Sequence, residues 1–237
     1  MSSPAAEAPA APPAWPVLDT SERRILGVLV EKSKTTPDAY PMSINALLTG
    51  SNQKTNRDPI LDLTELDVEE ALVNAQKKGL TIKVTGGRVV RWRHILYEAW
   101  RVDKVDLAVL AELLLRGPQT EGELRTRAGR MEPIDDLDAL RARLRPLAER
   151  RLVVYLTPEG RRGTVLTHGF HTPDELERLR ARYAGAALDD EPRPAPAARE
   201  APAPGEIDAL KQTVAALQSD LAAVKEELRA LQAALGI

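Results

Sequence analysis

Apolar residues recur along this chain with two periods, and the order in which those periods alternate is written twice. Around residues 18 to 98, and again around 104 to 171, a helical stripe leads to a short capped segment and a second, longer stripe. Two runs alternating with the period of a strand then follow, joined by a glycine-containing turn. That order of helix, short helix, longer helix and β-hairpin predicts a winged helix-turn-helix in each copy. The copies align segment by segment. Ser43-Ile-Asn-Ala-Leu-Leu falls on Thr120-Glu-Gly-Glu-Leu-Arg at an offset of 77, and Lys78-Gly-Leu-Thr-Ile-Lys-Val on Arg150-Arg-Leu-Val-Val-Tyr-Leu at 72. Arg88 to His94 falls on Arg162 to His168 at 74, so the offset drifts only through loops.

In the first copy, Thr20 or Ser21 is expected to cap a helix that turns Ile25, Leu26, Leu29 and Val30 inward, and Pro37 and Pro41 end it. Ser43 caps the short second helix. Thr64 with Asp67 forms a capping box for the third, whose inward stripe is Val68, Ala71, Leu72 and Ala75, and Gly79 stops it. Leu80 to Val84 and Arg88 to Trp92 then read as a wing around Gly86-Gly87 that presents Arg88, Arg91 and Arg93 near its tip and edge. The second copy has Val105 to Arg116 as its first helix, broken by Gly117-Pro118, and Thr120 as cap of its second. Leu137, Leu140, Leu144 and Leu147 stripe its third helix. Pro146 lies inside that stripe and predicts a kink near Arg145 or a helix broken in two, because an interior proline costs about 3 kcal/mol or more. Thr172 and Pro173 start a further short helix with Leu176, Leu179 and Tyr183 on one face.

The most regular pattern comes last. Ile207, Leu210, Val214, Leu217, Leu221, Val224, Leu228, Leu231 and Leu235 alternate spacings of three and four, an a/d coiled-coil seam about 45 Å long at 1.5 Å per residue. Glu206 and Asp220 at g face Lys211 and Lys225 at e across a parallel pair, and Ile207 and Val214 at a with Leu210 and Leu217 at d favour a dimer. Leu221 at a with Val224 at d leans toward higher states, and an amphipathic helix docking on its own body or another protein is the alternative. The expected fold class is α+β, mostly α: two tandem winged helix-turn-helix domains, a flexible linker and a C-terminal coiled-coil helix. The expected divisions are a disordered arm over 1–16, winged-helix domains over 17–100 and 101–184, an Ala/Pro-rich linker over 185–205 and the coil over 206–237.

Composition narrows the class. No apolar run approaches the ~20 residues needed to cross a bilayer, so no membrane partner is expected and the location is expected to be cytoplasmic. The absence of cysteine removes disulfides and thiolate zinc sites. The formal charge of -2 is unevenly distributed: residues 21 to 184 hold 28 Lys and Arg against 24 Asp and Glu, whereas residues 185 to 237 hold 5 against 9. A modestly basic body permits nucleic-acid binding without demanding it.

Candidate nucleic-acid contacts come from three places. Asn52, Gln53, Lys54, Asn56 and Arg57 precede Asp58-Pro59 and combine base-reading amides with phosphate-neutralising cations, although Asn and Asp are equally turn chemistry. The first wing offers Arg88, Arg91 and Arg93. The second copy offers Arg125, Arg127 and Arg130, with Arg141 and Arg145 on its third helix and Arg161 and Arg162 in its wing, and is the better phosphate-contacting half. Solvated charge on helical faces accounts for the same residues. Against DNA stands the first turn of the third helix of copy one, with Glu65, Asp67, Glu69 and Glu70, where a recognition helix would meet the duplex. The helix dipole favours those carboxylates without any function.

Pro41-Met-Ser-Ile-Asn-Ala-Leu, Asn52-Gln-Lys-Thr-Asn-Arg-Asp-Pro59, Leu115-Arg-Gly-Pro-Gln-Thr and Glu123-Leu-Arg-Thr-Arg127 closely resemble the YceH family of bacterial proteins over about Leu18 to His171. The resemblance implies two winged-helix modules in tandem in a bacterial cytosolic protein, and it brings no catalytic residues.

No catalytic constellation, cofactor or metal site is expected. His94 and His168 take equivalent places after the two wings, which suggests a repeated structural role such as closing the hairpin onto the first helix. His168-Gly-Phe-His171 has metal-compatible spacing but nothing to complete a ligand set. Two non-enzymatic functions follow: a homodimeric DNA-binding regulator with double-stranded DNA as partner, or a protein-interaction scaffold that binds no DNA. They differ in whether the basic side chains converge on one face.

Overall fold

The computed structural model describes residues 15–87 and 89–184. Arg88, the linker and the whole seam from Ile207 to Leu235 lie outside the described residues. Trp15, assigned above to the arm, is half-buried and donates from Nε1 to the carbonyl of Arg150 at 2.6 Å, beneath the Arg150 guanidinium.

Helix α1 (Thr20–Thr35) is capped one residue earlier than expected, by Asp19. The Asp19 carboxylate accepts from Glu22 N–H and the Glu22 carboxylate accepts from Asp19 N–H, each at 2.8 Å, so two otherwise unpaired donors are satisfied reciprocally. Instead of presenting one stripe, α1 is buried on all sides from Glu22 to Val30. The reason is its second neighbour, α5 (Lys104–Arg116), itself buried continuously from Leu107 to Leu115. No two elements pack more extensively than α1 and α5. At Gly27 the approach is so close that a Cβ would stand 2.7 Å from the Leu115 side chain, so glycine is required there.

Around this pair the elements repeat. After α1 come α2 (Ile44–Ser51), capped by Ser43, and α3 (Glu65–Lys77), capped by the expected Thr64/Asp67 box. Strands β1 (Thr81–Val84) and β2 (Arg91–His94) pair antiparallel with Thr81 opposite His94. The second strand begins later than the expected Arg88, in a register that buries Trp92 and His94 and leaves Arg91 and Arg93 outside. A short helix absent from the expectations, α4 (Leu96–Trp100), leads to α5 and buries its two end residues.

The second set is β3 (Gln119–Thr120), α6 (Glu121–Ala128), α7 (Leu137–Glu149), β4 (Val153–Tyr155) and β5 (Val165–His168), in a sheet of order β3-β5-β4. The bridge between Met42 and Trp92 in the first set matches Gln119 opposite Leu166 in the second. Helix α7 is not broken at Pro146. The proline sits in the last turn, where it forfeits one helical donor, and Leu144 and Leu147 on either side of it are buried. Helix α8 (Pro173–Ala184), capped by Thr172, lies on the surface with no fully buried residue.

The architecture is mixed and mostly helical, with two small antiparallel sheets. One apolar cluster runs from Leu18, Leu26 and Val30 through Trp100, Leu110 and Leu114 to Leu140, Leu144 and Phe170, and Trp100 stacks on Phe170 at 4.6 Å. A second cluster, with Ile25, Leu47, Leu72 and Trp92, joins the first set to Leu115 of α5. Among the described residues, no helix is long and apolar enough to cross a membrane.

Candidate nucleic-acid interface

The loop read as base-contacting spends most of its polar groups on the protein itself. Asn52 donates to the Leu63 carbonyl at 2.8 Å and accepts from Leu63 N–H at 2.9 Å, using its amide to close the loop. Asn56 adopts φ 61 and accepts from Arg116. Arg57 has a fully buried side chain, donates to Gly50 O at 3.1 Å and forms an ion pair with Glu31 at 2.6 Å. It is therefore withdrawn from solvent and unavailable to a phosphate, and Asn52 and Asn56 are committed to partners within the chain. Of this motif, Lys54 is exposed and Gln53 half-exposed. Asp58 N–H donates to Leu115 O at 3.0 Å, and Arg24 donates to Ser51 O at 2.8 Å and to Pro59 O, so the loop ties the first set to α1 and α5. The signal available in the sequence was turn chemistry, and it was the better guide.

Arg125, Arg127 and Arg130 do not form one outward group. Arg125 donates to Ile134 O and Asp135 O, bracing the loop before α7. Arg127 donates to Gln119 Oε1 at 2.8 Å and pairs with Glu123 at 3.2 Å. Arg116, Arg127 and Arg130 surround the buried Glu112, whose pKa is pushed up by burial and pulled back by Arg116 and Arg127. Burial lowers the pKa of Arg116 in turn, with Arg127, Arg130 and Arg57 acting in the same direction. Arg130 remains exposed.

On α7, Arg145 reaches the turn between β4 and β5. Arg145 is 73% exposed, and its guanidinium stands 3.9 Å from Glu159 in the turn that carries the exposed Arg161 and Arg162. One turn earlier Arg141, half-exposed, pairs with the buried Glu121 at 2.9 Å and with Asp138 at 3.4 Å. Tyr155 lies among them, its pKa raised to about 12, first by burial and then by Glu159 and Glu121.

The corresponding face of the first set is different. The outer surface of α3 carries Glu65, Glu69 and Glu70 with Leu66, 72% exposed, and Val73. Asp67 is engaged in the cap. In the first wing Arg93 is exposed and Arg91 donates to Pro41 O at 2.8 Å, while the exposed residues next to the turn are Val89 and Val90.

The histidines behave as a repeated structural pair. His94 Nδ1 accepts from Leu96 N–H at 3.4 Å and its Nε2 meets Ser33 Oγ on α1 at 3.3 Å, which closes the hairpin onto the first helix. His168 Nδ1 accepts from Phe170 N–H at 3.3 Å in the same way. Burial lowers both pKa values, that of His94 to about 4. His171 stacks face to face on His168 at 3.9 Å. Its Nδ1 receives Arg23 at 2.7 Å and its Nε2 meets Thr167 at 3.0 Å, so the two rings do not aim lone pairs at a common point.

Comparison with known proteins supplies a group and no activity. Residues 18–162 match the family described as "Protein of unknown function, DUF480". A UPF0502 protein of Rhodopirellula baltica is 46% identical over 175 residues, covering 72% of this chain and 73% of its own length. One from Geobacter sulfurreducens is 52% identical over 135 residues, covering 56% and 62%. One from Xanthomonas campestris pv. campestris is 39% identical over 220 residues, covering 91% and 96%.

Proposed function

Because this chain belongs to the DUF480 (UPF0502) family of uncharacterised bacterial proteins, the group to which its motifs pointed, we propose a function from geometry alone: a non-enzymatic, tandem winged-helix, DNA-binding regulator whose second repeat contacts the duplex. In this reading each repeat is a winged helix, α7 enters the major groove, the second wing lies along the backbone, and the seam from Ile207 to Leu235 pairs two chains. The observation that carries it is that the 73% exposed Arg145 of α7 stands 3.9 Å from Glu159, in the turn that also carries the exposed Arg161 and Arg162. Helix and wing are the two elements through which such a module touches DNA, and arginines there neutralise phosphates and displace counterions.

A second reading is favoured by a separate observation. The outer face of α3 is acidic and carries exposed Leu66 and Val73, which repels phosphate and suits a protein surface with basic and apolar groups. The first repeat then serves as the docking half of a scaffold.

Fluorescence anisotropy of a labelled random duplex across a salt series tests the first reading. Full-length protein is expected to bind with a steep negative salt slope, and joint replacement of Arg145, Arg161 and Arg162 by Ala lowers that slope by about one for each phosphate no longer neutralised. No binding even at low salt eliminates the DNA reading and leaves the scaffold.

A further inference from the structure

We propose that the cleft between α1, the Asp58-Pro59 turn, the C-terminal end of α5 and α8 binds a small, multiply charged anion carrying phosphate or carboxylate groups. The cavity has a volume of about 340 Å³, and a further space of about 230 Å³ continues it beneath α8 past Arg178.

Charge is the first support. Four arginines line the cavity, Arg23, Arg24, Arg116 and Arg182, against two carboxylates, Asp58 and Glu175, and Arg116 is itself paired with Glu112 behind the wall at 3.3 Å. Glu175 is already engaged by Arg23 at 2.9 Å, and Arg23 also holds His171, so this arginine is a wall of the site. Arg182, on the exposed side of α8, has no carboxylate within ion-pair distance among the described residues.

A second support lies in two buried side chains. Arg24 is 2% exposed, and two of its nitrogens are fixed by the Ser51 and Pro59 carbonyls. Its Nε, closed to solvent, has no acceptor among the described residues, so Arg24 sets a fixed positive charge in the wall of the cavity. His168 adds a neutral donor: its Nδ1 accepts from Phe170, which places the proton on Nε2, and the ring borders the cavity.

Comparison of the repeats shows what leaves room beside His168. Counted from the capping residues Asp19 and Asp103, Ser33 on α1 falls on Gly117 after α5. In the first repeat the Ser33 hydroxyl meets His94 Nε2 at 3.3 Å. In the second, the matching position has no side chain, and Gly117 and the buried His168 both line the cavity. An anion in this space accepts from Arg182 and from the His168 Nε2–H that the missing side chain leaves, beside the fixed charge of Arg24.

The test is isothermal titration of the full-length protein with inorganic pyrophosphate and, separately, with citrate, against chloride at matched ionic strength near neutral pH. The expected result is saturable binding of at least one of them, at one ion per chain. Arg182→Ala is expected to weaken it about tenfold or more, the scale of one charge-assisted hydrogen bond. Which ion binds more tightly distinguishes phosphate from carboxylate. Arg180→Ala, one position outside the cleft on the same exposed helix, leaves affinity within about twofold. Both variants are on the surface and retain the fold. Saturation by neither ion up to about 10 mM, or equal weakening by the two variants, overturns the proposal. The titration contains no DNA, so its outcome does not depend on how the duplex-binding reading fares.

Discussion

The third helices of the two repeats, α3 and α7, occupy matching places in the chain and present opposite surfaces. Both bury an apolar stripe: Val68, Ala71, Leu72 and Ala75 in α3, and Leu140, Leu144 and Leu147 in α7. Outward, α3 shows Glu65, Glu69, Glu70, Leu66 and Val73, whereas α7, after a first turn with Asp138 91% exposed, shows Arg141 and Arg145 beside the β4–β5 turn with Arg161 and Arg162. The inner face is constrained by packing against α1 or α5, where a change in volume costs kilocalories. The outer face is unconstrained by folding, so charge there is free to follow function. A shared scaffold therefore says little about what each half touches.

The largest effect expected from this contrast separates arginines that hold the fold from arginines that face solvent. Arg57→Ala strands Glu31 beside a buried site and is expected to cost about 3–5 kcal/mol. Arg145→Ala, at a residue 73% exposed, stays within about 0.5 kcal/mol. Urea unfolding of the two variants measures both. If Arg57→Ala leaves the midpoint unchanged but abolishes duplex binding, the loop is a contact after all and the division between the halves collapses.

How far the sequence could anticipate this differs between fold and site. Element order was legible because hydrophobic period and capping chemistry agree, as at Ser43, Thr64 and Thr120, each of which caps its helix. The strand expected from Arg88 starts at Arg91 because the adjacent Val89 and Val90 give no clean alternation to fix a frame, and only burial of Trp92 and His94 selects it. Helix α4 escaped because five residues are too few for a period to emerge. The site was harder. An arginine in a turn has the same letter whether it reaches a phosphate or, like Arg57, a half-buried glutamate 26 positions earlier, and only tertiary contact decides. The cleft at Gly117 was invisible for the same reason, since it consists of a side chain that one repeat has and the other lacks.

Acid titration probes the histidines on which the repeats agree. Burial holds His94 and His171 to about 4, below the value of 6.5 usual in an unfolded chain, and lowers His168 in the same direction. The unfolded state therefore binds more protons between these values. Stability is complete above about pH 6.5 and is lost as pH falls toward 4, by about 2 kcal/mol for each of His94 and His171 at pH 5. Urea midpoints at neutral pH and at about pH 5 should show this loss. His94→Asn keeps an acceptor for Leu96 N–H, so that variant is expected to be less sensitive to acid. An unchanged slope in His94→Asn would remove the first repeat from the account and leave the acid sensitivity to the second.

The smallest effect concerns the residue that follows each third helix. Gly79 and Arg151, equivalent at the offset of 72, both take left-handed backbone, with φ of 71 and 58. For a residue with a Cβ that conformation costs about 1–2 kcal/mol, while glycine adds about 0.4–1 kcal/mol of unfolded-state freedom. Gly79→Ala is accordingly expected to lose about 0.5–1 kcal/mol and Arg151→Gly to gain about as much, since the Arg151 side chain is exposed and makes no hydrogen bond or ion pair among the described residues. Opposite signs in paired thermal melts mean that both repeats use the same turn and differ only in the strain they tolerate. A loss in Arg151→Gly instead assigns that side chain a stabilising contact of its own and makes the second turn, like Gly117 against Ser33, a place where the repeats have parted.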